Sequence, residues 1–139
     1  IASLENGGAE RQLIEILKSN RSHGVLLLTE ADVYKETLDK LKIKYWEMGV
    51  KNKFVIFFKI FFFRNVIRKY KPDIIQSWMY NACLFSVFCK LIKLYDMPLI
   101  WNIRCSNMIS EYYSMSLRLI IYVCAVLSIY NNICDAVLT

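Results

Sequence analysis

Residues 71–81 of the chain read KPDIIQSWMYN. Lys71-Pro72-Asp73 indicates a stop followed by a turn, because proline cannot continue a helix. The segment from Ile74 to Trp78 then predicts a short strand, and a helix is predicted from about Asn81 to Tyr95. Another strand is predicted from Leu99 to Arg104. A strand, a helix and a strand at this spacing are typical of a βαβ unit with parallel strands.

The same alternation continues in both directions. Helices are predicted from Ala9 to about Ser19, Ala31 to Leu41, Phe54 to Tyr70 and Ser114 to Asn131, and strands from Val25 to Thr29, Ile43 to Met48 and Asp135 to Thr139, with Ile1-Ala2-Ser3 ending a further strand. Val25 to Thr29 is a continuous apolar run of the kind buried on both faces in parallel sheets. We therefore predict an α/β, Rossmann-like three-layer domain with a parallel sheet over residues 1–139, a single domain. The chain lacks an initiator Met and stops at a strand, so we expect it to be incomplete at both termini.

Composition narrows the class further. Apolar residues make up 56% of the chain, which excludes disorder. The formal charge of +6 suits an anionic partner, or serves solubility alone. The five cysteines form no C-x-x-C and have no histidine at ligand spacing, so we expect no metal site and instead buried free thiols in a reducing cytosol. The apolar runs are too short to span a bilayer, and no signal peptide is visible.

Three segments follow predicted strands and should lie at the carboxyl edge of the sheet, where α/β proteins bind ligands. They are Gly7-Gly8, Trp78-Met79-Tyr80-Asn81 and Arg104-Cys105-Ser106-Asn107. Gly7-Gly8 opens a helix, so its amides suit a phosphate or carboxylate; the alternative is a plain tight turn. A dinucleotide site with Glu30 as ribose ligand is a weak competitor, because Asn6 and Arg11 stand where two of the fingerprint glycines belong.

The other two segments carry sugar- and phosphate-binding side chains. Trp78 and Tyr80 could stack on a sugar ring while Asn81 binds its hydroxyls, although Trp78 equally suits the core. Arg104 at the end of an apolar strand suits a phosphate, with a structural salt bridge as the alternative. The single histidine, His23, precedes a strand at the opposite edge, and Cys105 lacks a base, so the sequence assigns no catalytic residue.

The helix predicted from Phe54 to Tyr70 has two apolar faces. One face can cover the sheet. The second consists of Phe54, Phe57, Phe58 and Phe61 and runs into Arg64 and Arg68, and no acidic residue lies between Lys51 and Lys71. Such a face suits an anionic membrane surface, whereas neighbouring elements of the full-length protein could equally bury it. Nucleic acid is not expected as a partner, because no RNA- or DNA-binding motif accompanies the basic residues.

Three segments together resemble a known family. The opening GGAERQL (residues 7–13), the stretch KPDIIQSWMY (residues 71–80) and Trp101-Asn102-Ile103-Arg104 resemble, in order, segments of family 4 glycosyltransferases. Leu127-Ser128 and the closing Asp135 to Thr139 are similar to the stretch before that family's interdomain region. The resemblance covers essentially the whole chain and identifies it as the N-terminal, acceptor-side half of a GT-B fold, with the donor-binding C-terminal half absent.

The resemblance implies a retaining transferase that needs no metal ion. It would move a sugar from a nucleotide-sugar donor to a glycan or lipid-linked acceptor in cell-surface polysaccharide biosynthesis, in the cytoplasm or peripherally at the inner face of the plasma membrane. This fragment alone would be inactive. The substrate-binding residues that we predict from these segments are Gly7, Gly8, Arg11, Trp78, Tyr80, Asn81, Arg104, Cys105 and Ser106.

Two positions depart from the family pattern. Asn81 and Cys105 stand where the family usually has histidine. Asparagine can bind a hydroxyl group but cannot exchange a proton near neutral pH. A slow or inactive member, or one with an altered acceptor, would follow if either histidine normally assists transfer. The alternative function is a non-catalytic membrane-associated or nucleotide-binding module of the same fold.

Overall fold

The computed structural model describes residues 1–51, 55–103, 114–128 and 135–138, apart from the side chain of Phe57. The chain divides into two compact units, Ile1–Tyr70 and Lys71–Thr139. Each unit has its own parallel strands, connected by helices, which confirms the predicted α/β class. That the two units together form a single three-layer domain stays a prediction.

The first unit contains three helices and two strands among its described residues. In chain order these are α1 (Gly8–Ser19), β1 (Gly24–Leu27), a short 3₁₀ turn (Asp32–Tyr34), α2 (Lys35–Leu41), β2 (Lys44–Glu47) and α3 (Val55–Tyr70). β1 and β2 are parallel, and their register runs from Gly24 opposite Lys44 to Leu27 opposite Glu47. Ile1 and Ala2 lie beside β1, because their carbonyl groups accept hydrogen bonds from the amides of Leu28 and Thr29 at 3.2 and 2.9 Å.

Helix α1 buries one stripe of side chains at helical spacing. The stripe consists of Ala9, Leu13, Ile14 and Leu17, which confirms the predicted core face. Strand β1 buries Val25 and Leu27 but leaves Leu26 half-buried, so one face of the strand is covered less fully than the apolar run predicts.

The predicted helix from Ala31 to Leu41 is broken into two pieces. Asp32 has a φ of 31°, outside the right-handed helical region, so the first turn is 3₁₀ and α2 begins only at Lys35. α2 ends at Leu41 because Lys42 is left-handed, with a φ of 56°, and its amide donates to the Asp39 carbonyl at 3.0 Å. A left-handed residue of this kind is a common helix stop that glycine usually provides.

The end of α3 is anchored to the two strands by Tyr70. The Tyr70 hydroxyl donates to the Ser22 carbonyl at 2.6 Å. Its ring packs edge-on against Trp46 with the centroids 5.1 Å apart, and the Lys44 ammonium group lies 5.9 Å from its centroid. Gly24 lies under both rings, since a Cβ atom there would be 2.8 Å from Trp46 and 3.0 Å from Tyr70. These contacts fix the orientation of α3 on the first unit.

The second unit contains β3 (Ile75–Trp78), α4 (Met79–Leu91), β4 (Leu99–Asn102), α5 (Met115–Ser128) and β5 (Ala136–Leu138). The three strands are parallel in the order β3-β4-β5. Their core is a cluster of buried side chains from α4, β4 and α5: Tyr80, Cys83, Val87, Leu99, Trp101 and Cys124. The strands and α5 begin or end within a few residues of the predicted positions, as is usual for element boundaries.

Polar groups inside the second unit are joined by hydrogen bonds. Ser77 Oγ donates to Ser86 Oγ at 2.7 Å, and Ser86 Oγ donates to the Cys83 carbonyl at 2.9 Å. The Tyr95 hydroxyl donates to the Ser86 carbonyl at 2.8 Å. Because buried hydroxyl groups are costly without partners, this network favours a single packing of α4 on β3.

One carboxylate ties β5 to the rest of the second unit. Asp135 Oδ2 accepts from Lys90 Nζ and from the Leu99 amide, both at 2.7 Å. These bonds, that from Lys90 first, hold the pKa of Asp135 below its ordinary value. The Asp135 amide in turn donates to the Leu99 carbonyl at 2.9 Å.

Three cysteines of the second unit are buried thiols outside any disulfide, as predicted. They are Cys83, Cys89 and Cys124. Burial raises the pKa of Cys89 to about 12 and that of Cys124 to about 11. Cys105 and Cys134 lie outside the described residues.

Candidate functional site

The Gly7-Gly8 turn begins α1 and follows Ile1 and Ala2, the residues that lie beside β1. Gly7 is the N-cap in an extended conformation, and no side chain of the described residues caps it. A Cβ atom at Gly7 would run into the carboxyl group of Glu10, with its Cδ at 3.0 Å, whereas a Cβ atom at Gly8 would meet nothing within 4 Å. The space beside Gly8 is therefore open. Amides of a helix start beside open space can approach an anionic group closely.

Arg11 is exposed on the same helix, one turn after Gly7. Its amide donates to the Gly7 carbonyl at 3.1 Å, the first hydrogen bond of α1. The guanidinium group is thus carried on the helix end that the Gly7-Gly8 turn opens. Binding of a substrate by Gly7, Gly8 and Arg11 stays a prediction.

A polar cavity of about 540 Å³ lies at the carboxyl ends of β1 and β2. Its lining comes from five parts of the first unit: Glu30 after β1, Asp32 in the 3₁₀ turn, Lys35 at the start of α2, Glu47, Met48 and Gly49 at the end of β2, and Lys59 on α3. The sequence analysis predicted no site at the ends of these two strands. Of the lining residues it named only Glu30, as the ribose ligand of the competing dinucleotide site.

The cavity is held in shape by the backbone that continues past the two strands. The amides of Met48 and Val50 donate to the carbonyls of Leu27 and Leu28 at 2.9 and 2.8 Å. Across the mouth, Glu47 Oε1 accepts from the Ala31 amide at 2.8 Å, which fixes the loop after β1 against the end of β2. Gly49 has a φ of 60°, a conformation that glycine adopts without strain.

The lining groups define what the cavity can bind. Its three carboxylates accept hydrogen bonds, and its two ammonium groups donate them and attract negative charge. A ligand that offers several hydroxyl groups together with an anionic group satisfies both kinds of side chain. A sugar that carries a phosphate or carboxylate is such a ligand.

The second candidate segment forms an abrupt junction between β3 and α4. The helix begins at Met79, two residues earlier than the sequence predicts, directly after Trp78. Met79 has a φ of 67°, a left-handed conformation that is strained for a side chain of this size. Trp78 and Tyr80 are buried, and Asn81 is exposed on the first turn of α4.

The burial of both aromatic rings bears on their predicted role. Neither ring offers an exposed surface on which a sugar could stack in this structure. Trp78 is buried, as in the alternative in which it belongs to the core. Tyr80 belongs to the core cluster, where its carbonyl accepts a bond from the Cys124 thiol at 3.8 Å. Contact of Trp78, Tyr80 or Asn81 with a sugar stays a prediction.

The third candidate segment, Arg104-Cys105-Ser106, lies outside the described residues. β4 leads to it and ends at Asn102, which is buried, and the Ile103 amide donates to the Leu138 carbonyl at 2.8 Å. The indole Nε1 of Trp101 on β4 is buried and has no hydrogen-bond partner within the described ranges. The convergence of the three segments involves both units and stays a prediction.

Two further properties concern the described residues as a whole. No group of three or more His, Cys, Asp or Glu side chains among them lies close enough together to hold a metal ion. None of the described helices is both long and apolar enough to cross a membrane.

Comparison with known proteins gives a fold. No protein-family model matches the chain, and no curated protein matches it. Among solved structures, the chain is similar to Anabaena Alr3699/HepE in complex with UDP, with a TM-score of 0.70 and 19% identity over 98% of this chain and 35% of that protein. A second crystal structure, of HepE with UDP and glucose, matches with a TM-score of 0.64 and 18% identity over 99% of this chain and 35% of that protein.

The chain therefore spans about a third of the length of HepE. Similarity at this level of identity defines the fold, and the fold is the predicted Rossmann-like α/β class.

Proposed function

We propose that this chain is the N-terminal, acceptor-side part of a GT-B glycosyltransferase of family 4. The observation that carries the proposal is the similarity in fold, over nearly the whole chain, to a third of a protein that binds UDP, and UDP together with glucose. UDP and glucose are the two parts of a nucleotide-sugar donor. The GGAERQL opening and the two later segments that resemble family 4 support the same assignment independently.

In the proposed enzyme the sugar passes from a nucleotide-sugar to a glycan or lipid-linked acceptor in cell-surface polysaccharide biosynthesis. Retention of configuration and independence of metal ions come with the family 4 assignment. The leaving nucleotide carries its negative charge on phosphate oxygens, which need hydrogen-bond donors in place of a metal ion. The helix start at Gly8, open on its outer side, offers backbone amides for that purpose, and Arg104 supplies a guanidinium group at the acceptor.

The polar cavity of the first unit is the proposed site for the acceptor's hydroxyl groups. Glu30 and Asp32 accept hydrogen bonds from hydroxyls there, while Lys35 and Lys59 suit an acceptor that carries a phosphate or carboxylate. Glu47 has one oxygen engaged with the Ala31 amide, so its role is to hold the cavity's shape as well as to line it.

The test of the overall function is a nucleotide-sugar screen with the full-length protein. Release of a nucleoside diphosphate that depends on the presence of an acceptor supports the proposal. Tight nucleotide binding without turnover supports the alternative of a non-catalytic nucleotide-binding module. Absence of binding to every nucleotide-sugar, measured by calorimetry on folded protein, overturns both.

The role of the cavity has its own test. Lys35→Ala in the full-length enzyme should raise the acceptor KM about tenfold, equivalent to about 1.4 kcal/mol, and leave the donor KM unchanged. Lys40→Ala is the matched control, because Lys40 lies on the same helix, pairs with Glu36 at 3.5 Å and is absent from the cavity. An equal effect of the two substitutions would show that the cavity does not bind the acceptor.

Asn81 permits a further test. Asn81→His places the family's usual residue on the exposed first turn of α4. If the histidine assists transfer, the variant gains activity with a new ionisation near pH 6.5. A pH–rate profile identical to that of the wild type would remove position 81 from the reaction.

A further inference from the structure

One face of α3 exposes aromatic side chains. Phe58 is 79% exposed and Phe61 is 68% exposed, and Phe62 next to them is also exposed. At 100° per residue, Phe58, Phe61 and Phe62 fall on one side of the helix together with Asn65, Arg68 and Lys69. All six are exposed, and we call them the outer face of α3.

The opposite side of α3 is held against the first unit. Phe63 and Val66 are buried, and Tyr70 is fixed by its bond to Ser22 and its contact with Trp46. The helix therefore cannot roll to bury Phe58 and Phe61 without breaking these contacts. Exposure of the outer face follows from the packing of the inner one.

The charge around the outer face has one sign. Between residues 51 and 71 the chain has seven basic residues and no acidic residue: Lys51, Lys53, Lys59, Arg64, Arg68, Lys69 and Lys71. Of these, Arg68 and Lys69 lie on the outer face itself, Arg64 is half-buried at its margin, and Lys59 points to the polar cavity. Exposed aromatic rings beside positive charge, in a stretch of sequence with no acidic residue, complement a surface that is apolar below and anionic above.

We propose that the outer face of α3 docks on an anionic lipid bilayer. Phe58, Phe61 and Phe62 enter the boundary between head groups and acyl chains, and Arg68 and Lys69 bind the phosphate groups. The helix lies in the plane of the interface. With 16 residues it is about 24 Å long, short of the roughly 30 Å hydrocarbon core.

The outer face differs from the earlier prediction in two respects. Phe62 joins it, because its position on the helix turns it to the same side as Phe58. Phe54 and the side chain of Phe57 lie outside the described residues, so the docking surface is argued from the other side chains. The inference depends on α3 alone and is independent of the transferase assignment.

The test is co-sedimentation of the full chain with vesicles. Vesicles of phosphatidylcholine containing about one third phosphatidylglycerol should bind the protein, and pure phosphatidylcholine vesicles should bind it at least tenfold more weakly. Binding should weaken as salt is added, because the head-group attraction is screened. Equal binding to both kinds of vesicle at low and high salt would overturn the proposal.

Substitutions locate the surface. Phe58→Ser with Phe61→Ser should weaken binding at least tenfold, and Arg68→Gln with Lys69→Gln should reduce its salt dependence. The matched control is Leu119→Ser with Tyr122→Ser on α5, which removes side chains exposed by 63% and 67% from a helix with a single basic residue, Arg118. If the α5 control loses vesicle binding, the assignment to α3 is wrong. It is also wrong if the Phe58→Ser, Phe61→Ser variant keeps both its vesicle binding and the melting curve of the wild type.

A second measurement does not depend on the loss of side chains. Phe58→Trp should add a fluorescence component that shifts to the blue with anionic vesicles and resists a water-soluble quencher. An unshifted, fully quenched component in vesicle-bound protein would show that position 58 stays in water. If instead the Phe58→Ser, Phe61→Ser variant changes the oligomeric state and binds vesicles like the wild type, the outer face of α3 joins two copies of the chain. The bilayer proposal is then wrong.

Discussion

Gly24 is the position where the structure makes its sharpest quantitative prediction. A Cβ atom there would be 2.8 Å from Cζ3 of Trp46, about 0.6 Å inside the 3.4 Å at which ordinary contact begins, and 3.0 Å from Cζ of Tyr70. Neither ring yields easily, because the two pack against each other and the Tyr70 hydroxyl is bonded to Ser22. Gly24→Ala therefore forces β1, β2 and the end of α3 apart.

The expected cost is the difference between two effects. Overpacking by one methyl group costs roughly 1–3 kcal/mol. Replacing glycine within a strand recovers about 0.5–1 kcal/mol of conformational entropy. The net effect should be a loss of about 1 kcal/mol in the free energy of unfolding, close to the difference between the middles of these two ranges.

Urea unfolding of the full chain, followed by far-UV circular dichroism, measures this cost. Gly8→Ala is the control, since its Cβ atom meets open space and should change the stability by about 0.5 kcal/mol or less. In a Trp46→Leu background the cost of Gly24→Ala should fall by half or more, because the closest ring is gone. An equal cost in both backgrounds would refute the proposed clash.

Three further predictions concern single residues. Lys42→Gly should raise the stability by about 1 kcal/mol, as a melting curve would record, because Lys42 is exposed and left-handed; Lys42→Val should lower it. Asp135→Asn should lower the stability by about 1 kcal/mol at pH 7 by weakening the bonds from Lys90 and Leu99. Because the pKa of Asp135 is lower in the folded than in the unfolded chain, its contribution to the free energy of unfolding is present at neutral pH and is lost as the pH falls through the folded pKa. A difference in stability between variant and wild type that persists in acid would contradict this prediction. Burial raises the pKa values of Cys89 and Cys124 to about 12 and 11, so both should react with a disulfide reagent at pH 8 at least a hundredfold more slowly in the folded chain than in urea. Mass mapping of the modified cysteines measures this, and early modification of either in the folded chain would contradict the prediction.

Periodicity predicted most of the secondary structure because helices and strands differ in the spacing of their apolar residues. The buried stripe of α1 and the pairing of parallel strands follow from that spacing. The breaks at Asp32 and Met79 could not be read from it. Both residues have positive φ angles that neither aspartate nor methionine requires by its chemistry, so the surrounding packing imposes them.

The polar cavity was not predicted from the sequence, and its lining shares no residue with the predicted substrate-binding set. The rule that ligands lie beyond the carboxyl ends of strands was applied to Gly7-Gly8 and to two later segments. The polar Glu47 followed by Gly49, near the end of a predicted strand, was an available sign of the cavity that was not used. Lys35 and Lys59 come from helices distant in sequence, and only the fold brings them to the cavity. The aromatic side chains at 78 and 80 were assigned by residue type, whereas their burial depends on how α4 packs.

The junction between β3 and α4 sets a limit on how this chain can vary. Since the helix begins at Met79, directly after the strand, no loop residue is available to absorb a change of length. One inserted residue would rotate α4 by about 100°, turning the Tyr80 side chain out of the core and moving Asn81 off the outer surface. Insertions should therefore be excluded at this point even where the neighbouring loops accept them. Substitutions at 79 should favour glycine, asparagine or aspartate and reject β-branched residues, whose side chains fit the left-handed backbone worst.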